Sequence, residues 1–489
     1  MIKNLSAFLN NKLVNNECNS GWINSSLILF EYFSFFTVFL YWLAYSVLRR
    51  RGIPIADISD SLQDPYRALL VMLILGFNAL FFGRLFLHLY FRIDSYRANA
   101  YSRFVSRRVL LIALLIILVV ITGGRFDYAS YKLQWSIIAQ GQNPWGFIEG
   151  GMINAYGYVF NALTVLYILN PVLPKLVVAL LFFALTSFLN SPSKYQMDSE
   201  LASPAVLLIL NPYTVSCVCV YGFIDTLSSL LLAYSLFLML RSPSSRGGGF
   251  RLIGSAATLL AMSVFTKFYP LVLLPLFLKT AKLKNQLVAF SAVFLGVSSL
   301  TLVISYVLWG DNILSPLLFA KGRDPSFLTF WRVAGEWQNF RSPLFVLLTT
   351  LVVIMGFFRV SISALGIVSA GVLSFVFGIY YLGHQQFYLS IVVCLAVFLS
   401  RSSRAIPHSN QSYQKVMGLS IAAFISWLIF IQTGFELFHE YKPQGFKDIV
   451  DILSLINSFL LLSLGILWIT RGTRVGISHK PESDHPTIK

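Results

Sequence analysis

A few charged side chains stand out because apolar sequence surrounds them. Asp127 follows an apolar run at 108–122 by only five residues, with Arg125 close by. Lys267 interrupts the apolar run 252–278, and His384 stands between the runs 363–382 and 386–400. Asp225 opens the run 225–240, while Arg323 lies beside Asp324 in a polar stretch between runs. A carboxylate near a membrane surface can take the proton of an attacking hydroxyl, which is general-base catalysis. Fixed cations can stabilise the charge of a departing anion. Each residue also has a plain structural use. Asp127 can pair with Arg125 at an interface, Lys267 can snorkel from a broken helix, and His384 can cap the helix after it. Asp225 can act as an N-cap ahead of Thr226 and Ser228, and Arg323 can form a solvated pair with Asp324. Residue types alone leave both uses open.

Other chemistries find little support. His88, His408, His439, His479 and His485 show no metal-ligand spacing, and His439-Glu440 lacks the second histidine of a zinc-protease motif. Gly247-Gly248-Gly249 lacks the Lys-Ser/Thr of a phosphate loop. Cys217 and Cys219 lie in an apolar run with no second pair to complete a zinc site. No metal ligand and no cofactor is assigned.

The elements that would carry these residues are membrane helices. Hydrophobic residues make up 56% of the chain and charged residues 12%, about half the charge of an ordinary soluble domain. Only helices and closed barrels span a bilayer, and barrel strands alternate apolar and polar residues. Stretches such as Leu110–Val120 and Phe459–Ile469 are almost continuously apolar, so the expectation is an all-α, polytopic transmembrane helix bundle of 12 to 14 spans. The net charge of +17 sits mainly in short connectors, which fits cytoplasmic anchoring rather than nucleic acid. No signal peptide is expected, because the first 25 residues are polar and the apolar run after them is too long for a cleaved one.

Basic clusters at Arg92–Arg108, Arg241–Arg251, Lys279–Lys284, Arg401–Lys415 and Arg471–Lys480 set the orientation. With these in the cytoplasm, loops 123–151, 310–342 and 434–447 and the junction 383–385 face outward; only Arg49–Arg51 violates the rule. Spans and charges fail to alternate between 152 and 278, which calls for breaks near Pro171, Pro212 and Lys267–Pro270. The expected organisation is a polar arm at 1–25, a two-helix extension at 26–107 and a core at 108–400 with outer loops 123–151 and 310–342. C-terminal helices at 401–470 and a basic cytoplasmic tail at 471–489 complete it.

Four short motifs follow one another in the core. Asp127-Tyr128 is followed by Gly141-Gln142-Asn143-Pro144-Trp145 and by Tyr156-Gly157-Tyr158. Leu210-Asn211-Pro212-Tyr213 leads to Tyr221-Gly222-Phe223-Ile224-Asp225. Then come Thr266-Lys267-Phe268-Tyr269-Pro270-Leu271 and Gly383-His384-Gln385-Gln386-Phe387-Tyr388. Their order, over roughly 108–400, resembles GT-C fold glycosyltransferases that use polyprenyl-phosphate sugars, above all the mannosyltransferases of glycosylphosphatidylinositol and phosphatidylinositol-mannoside assembly. Arg125 stands where related loops often carry a first acid, and two helices precede the loop where the family suggests none.

The resemblance implies an enzyme of the plasma (inner) or endoplasmic reticulum membrane with its site on the outer or lumenal face. It would transfer a hexose, mannose foremost, from a polyprenyl-phosphate donor to a lipid-linked or membrane-proximal glycan acceptor, with inversion. Asp127 would be the base, and Lys267, His384 and Arg323 would bind the donor phosphate. Tyr128, Asp225, Tyr269 and Gln385 would bind substrate. One base suffices, because a lipid phosphate leaves without protonation, whereas glycoside hydrolysis needs a carboxylate pair. A multi-pass transporter or lipid flippase is the competing expectation, although no internal repeat is evident.

Overall fold

The computed structural model describes residues 76, 79–80, 82–87, 90, 108–122, 126–145, 156–189, 204–241, 249–281, 283–315, 325, 328–402, 411–441 and 446–472. The expected N-terminal arm, most of the two-helix extension and most of the basic tail lie outside the described residues. Among the described residues the regular structure is all helical, with no strand.

The longer helices are α1 (Arg108–Thr122), α2 (Phe126–Ala139), α3 (Leu173–Leu189), α4 (Asp225–Arg241) and α5 (Gly249–Val264). They continue as α6 (Lys284–Trp309), α7 (Arg341–Arg359), α8 (Leu365–Ile379), α9 (Leu389–Ser402), α10 (Gln411–Tyr441) and α11 (Phe446–Gly472). Each of the three expected breaks is present. Tyr158–Leu169 and α3 meet across Asn170–Val172 at 117°, where Pro171 prevents a continuous helix. Pro204–Ile209 stops before Asn211, whose side chain accepts from the Thr214 amide at 3.0 Å to start Pro212–Val215. α5 ends before Lys267, and a 3-10 turn at Tyr269–Leu273 carries Pro270 in its first turn.

Among the described residues, four stretches are long and apolar enough to cross a membrane: Lys284–Leu314, Gly335–Arg359, Ser412–Gln432 and Ile449–Gly472. The bent pair at Tyr158–Leu189 makes a fifth if it counts as one span. The expected 26–48 span and most of the 67–91 span lie outside the described residues, so the figure of 12 to 14 concerns more of the chain than these helices do. Within the described residues, the breaks keep several helices short. Helices of 15–17 residues, such as α1, α3, α4, α5 and α8, rise about 23–26 Å, short of a hydrocarbon core of about 30 Å.

Burial separates the helices into two layers. α8 and α9 are apolar on all sides and enclosed on all sides, as interior helices are. The spans 284–314 and 335–359 are only 11% buried, so their apolar flanks face outward. Small and hydroxylated residues stitch the interior. Ser228 and Ser263 exchange hydrogen bonds between α4 and α5, and Ser235 Oγ donates to Ala256 O at 2.7 Å. Ser374 of α8 donates to Leu461 O of α11 at 2.9 Å.

Candidate functional site

Lys267 lies where α5 stops. The break leaves the carbonyls of Phe265 and Thr266 without helical partners, and a second segment supplies them. The Val159 amide donates to Phe265 O at 3.1 Å, and the Gly157 amide donates to Thr266 O at 3.2 Å. Only glycine permits this approach, since a Cβ at 157 would sit 2.1 Å from Phe265 O. The first-loop motif therefore folds directly onto the Lys267 turn. Trp145 Nε1 donates to Tyr156 O at 3.3 Å; Asn143 Nδ2 donates to Trp309 O at the end of α6, and Tyr158 Oη donates to Ile313 O in the 3-10 turn that follows it.

The Lys267 ammonium lies 3.7 Å from Asp225 Oδ2, with the lysine side chain 13% exposed and the aspartate fully enclosed. Two rings complete its surroundings, Tyr156 with its centroid at 4.8 Å and Phe387 at 5.4 Å. Such contacts favour a cation over an aromatic face. Asp225 opens α4 as a first-turn residue. The amides of Thr226 and Leu227 bond back to Phe223 O and Ile224 O at 3.0 and 2.9 Å, so its carboxylate caps neither of them. The turn before it begins at Gly222, whose φ of +61° is the left-handed conformation that glycine adopts freely. The rings of Tyr221 and Phe223 stack across that glycine at 5.0 Å.

α2 supplies the wall beside this pair. Tyr128, Tyr131 and Trp135 share one face by their spacing, and all are buried. Tyr131 packs edge-on against Tyr156 at 4.7 Å, and its hydroxyl accepts from the Ile224 amide at 3.3 Å. Trp135 stacks on Phe160 at 4.9 Å. Tyr128 Oη donates to Pro171 O at 2.7 Å, so this side chain joins α2 to the start of α3. Asp127 lies in the first turn of α2, directly before Tyr128; its side chain is outside the description, as is the whole of Arg323.

The opposite wall is the 3-10 turn Gln385–Tyr388. Its Phe387 ring meets Lys267 on one side and the His384 ring, edge-on at 5.6 Å, on another. Gln385 is buried, and its backbone carbonyl accepts from Tyr213 Oη at 2.6 Å. Tyr269 packs against Phe377 and Phe387 at 5.2 and 5.7 Å, with its hydroxyl buried. Four of the quoted motifs thus surround one cation–carboxylate pair in an aromatic enclosure. Such an arrangement can hold an anion beside the ammonium, whose side chain keeps some exposure.

Two polar residues that support this site have no place in the motifs. Lys175 is 3% exposed, and its ammonium donates to Thr122 Oγ1 at 3.0 Å and to Val220 O at 2.9 Å. Asn457 of α11 is fully enclosed. It donates to Leu328 O at 2.9 Å and to Tyr388 Oη at 2.7 Å, and accepts from Trp427 Nε1 at 2.9 Å. A lone lysine or asparagine inside an apolar run is the sequence signal that marks such residues. Among the described residues, no group of three His, Cys, Asp or Glu side chains could hold a metal ion. In comparisons with known proteins, no family model matches this chain and no curated protein matches its sequence.

Proposed function

We propose that this chain is a membrane glycosyltransferase of the GT-C type that moves a sugar, mannose foremost, from a polyprenyl-phosphate donor to a lipid-linked or membrane-proximal acceptor. The observation that carries the reading is the Lys267–Asp225 pair at the meeting point of the Tyr156, Tyr221–Asp225, Thr266–Pro270 and His384–Phe387 segments. These segments are far apart in the chain, and each belongs to a motif quoted for the resemblance.

On this reading the donor phosphate binds beside the Lys267 ammonium, with His384 close by on the same Phe387 ring. Asp127, at the start of α2, takes the proton of the acceptor hydroxyl as that oxygen attacks the anomeric carbon and the bond to the lipid phosphate breaks. Configuration inverts, and the phosphate departs as an anion held by the cation. Asp225 holds the ammonium in place from behind. The bundle completes further crossings through its shorter and broken helices, and the site faces the outer or lumenal side.

The test is transfer by purified protein in lipid vesicles, with polyprenyl-phosphate mannose as donor and extracted membrane glycolipids as acceptors. Asp127→Asn should fold normally and lose transfer by at least about a hundredfold, the scale of a general base. Full activity in that variant overturns the assignment. Movement of the donor lipid across the vesicle bilayer without sugar transfer would point to a flippase instead.

A further inference from the structure

The 3-10 turn Gly335–Phe340, directly ahead of α7, has no part in the chemistry above. It carries two large aromatic side chains outward. Trp337 is 68% exposed and Phe340 is 55% exposed, and their ring centroids lie 5.9 Å apart. α7 prolongs the same stripe through Leu347, Leu351, Ile354 and Phe358, all of them exposed. Neighbours three, four or seven positions apart share one face of a helix. The stretch Gly335–Arg359 is long and apolar enough to cross a membrane, and only 11% of its apolar window is buried. Tryptophan gathers where acyl chains meet headgroups, because its ring is apolar and its N–H is a donor.

Arg341 follows as the first residue of α7. Its guanidinium lies over the Tyr381 ring, 4.9 Å from the centroid. Among the described residues no carboxylate forms an ion pair with it, not even that of Glu336 in the adjoining turn. Arg332, in the turn before, differs: its Nε donates to Asp451 Oδ1 at 2.5 Å. A ring holds a guanidinium by its flat face, which leaves the N–H groups at its edge to an anion. Phosphate oxygens fit that edge in pairs.

The features succeed one another in a meaningful way. An apolar flank runs to an aromatic pair, and a cation without a carboxylate partner lies at the same end of the span. A leaflet offers acyl chains, then the glycerol level, then phosphates. We propose that the turn Gly335–Phe340 and Arg341 dock on the headgroup region of the bilayer, with Trp337 and Phe340 at the glycerol level and the Arg341 guanidinium on a phospholipid phosphate. The proposal requires that Gly335–Arg359 cross the bilayer, and not that the chain transfer sugar. Tyr381 packs on Tyr380 at 5.2 Å and Tyr380 on Phe387 at 5.9 Å, so the lipid contact also braces the wall beside Lys267.

Two measurements test it. Protein is reconstituted in phosphatidylcholine vesicles whose acyl chains carry bromine either close to the headgroup or near the chain ends. Subtracting the emission of Trp337→Phe protein isolates Trp337 from the other tryptophans. Bromine close to the headgroup should quench that share at least about twofold more than bromine near the chain ends. Equal quenching, stronger quenching from the chain ends or none at all overturns the proposal. Blue-shifted emission that no bromine quenches would mark a protein surface covering Trp337, and also overturns it.

The second measurement reads the guanidinium. Purified protein in neutral detergent receives phosphatidylglycerol or a diacylglycerol glycolipid without phosphate, and thermal midpoints are compared. Arg341→Gln should lose about 2 °C of the gain that phosphatidylglycerol gives the wild type over the glycolipid, the effect of one basic residue at an anionic lipid surface. The same gain in both proteins overturns the role of Arg341. Inorganic phosphate in lipid-free detergent should leave the two proteins equally affected. If it reproduces the difference, the cation takes free phosphate and the lipid docking is wrong. If Arg341→Gln does not fold, the quenching measurement decides alone.

Discussion

Replacing Lys267 with methionine removes the ammonium that lies over the Tyr156 and Phe387 rings and leaves an unbranched side chain one atom shorter, whose sulfur aromatic rings also favour. The main loss is the charge. At 3.7 Å, with an effective dielectric constant of about 20, the attraction between the ammonium and Asp225 is about 4–5 kcal/mol. Breaking a buried pair by removing one partner costs about 3–5 kcal/mol. The separation exceeds hydrogen-bonding range, which places the cost near the lower end, about 3 kcal/mol. At about 2 °C per kcal/mol for a large chain, the thermal midpoint in mild detergent should fall by about 6 °C.

Asp225→Asn in the same chain removes the buried charge left behind, so the double variant should recover at least half of that loss. Midpoints of the wild type, both single variants and the double variant at pH 7 check this directly. A Lys267→Met midpoint within 1 °C of wild type, or a double variant no more stable than Lys267→Met, would refute the reasoning.

Gly157→Ala places a carbon within 2.1 Å of Phe265 O and should break the pairing of 157–159 with 265–266. Loss of two buried hydrogen bonds predicts a destabilisation of about 2–4 kcal/mol, read as a lower thermal midpoint together with faster amide exchange at Gly157 and Val159. Asn457→Leu removes a side chain with three buried partners and leaves Leu328 O, Tyr388 Oη and Trp427 Nε1 to find others. It should cost about 2–4 kcal/mol, and Trp427 fluorescence should report the lost bond.

The broken helices were legible in the sequence for a local reason. Proline forbids the helical hydrogen bond wherever it stands, so Pro171, Pro212 and Pro270 mark breaks without knowledge of neighbours. Apolar runs were equally local, and 225–240 and 171–190 differ little from Asp225–Arg241 and Leu173–Leu189. The π-helical segment Ser216–Tyr221 was not legible, because its apolar residues suit an ordinary helix equally well. Nor did spacing reveal partners. Asp225 and Lys267 each stood out, yet nothing local says that they pair across 42 residues, and the N-cap reading of Asp225 was as natural. Lys175 and Asn457 escaped notice because their partners lie up to 129 positions away. Polar residues in apolar runs acquire meaning only from the helices packed around them.

Asn457 also bears on the order in which the molecule is made. The Gln385–Tyr388 turn, with Phe387 against Lys267, is tied through Tyr388 to a side chain that leaves the ribosome 69 residues later. Emergence at about 5–20 residues per second delays that tie by several seconds after the turn itself is synthesised. During that interval the first-loop and Lys267 segments can already pair, while the opposite wall is not yet fastened. Fastening of that wall is thus a late event of biosynthesis, and a nascent chain stopped before α11 would carry all the motifs without the Asn457 tie.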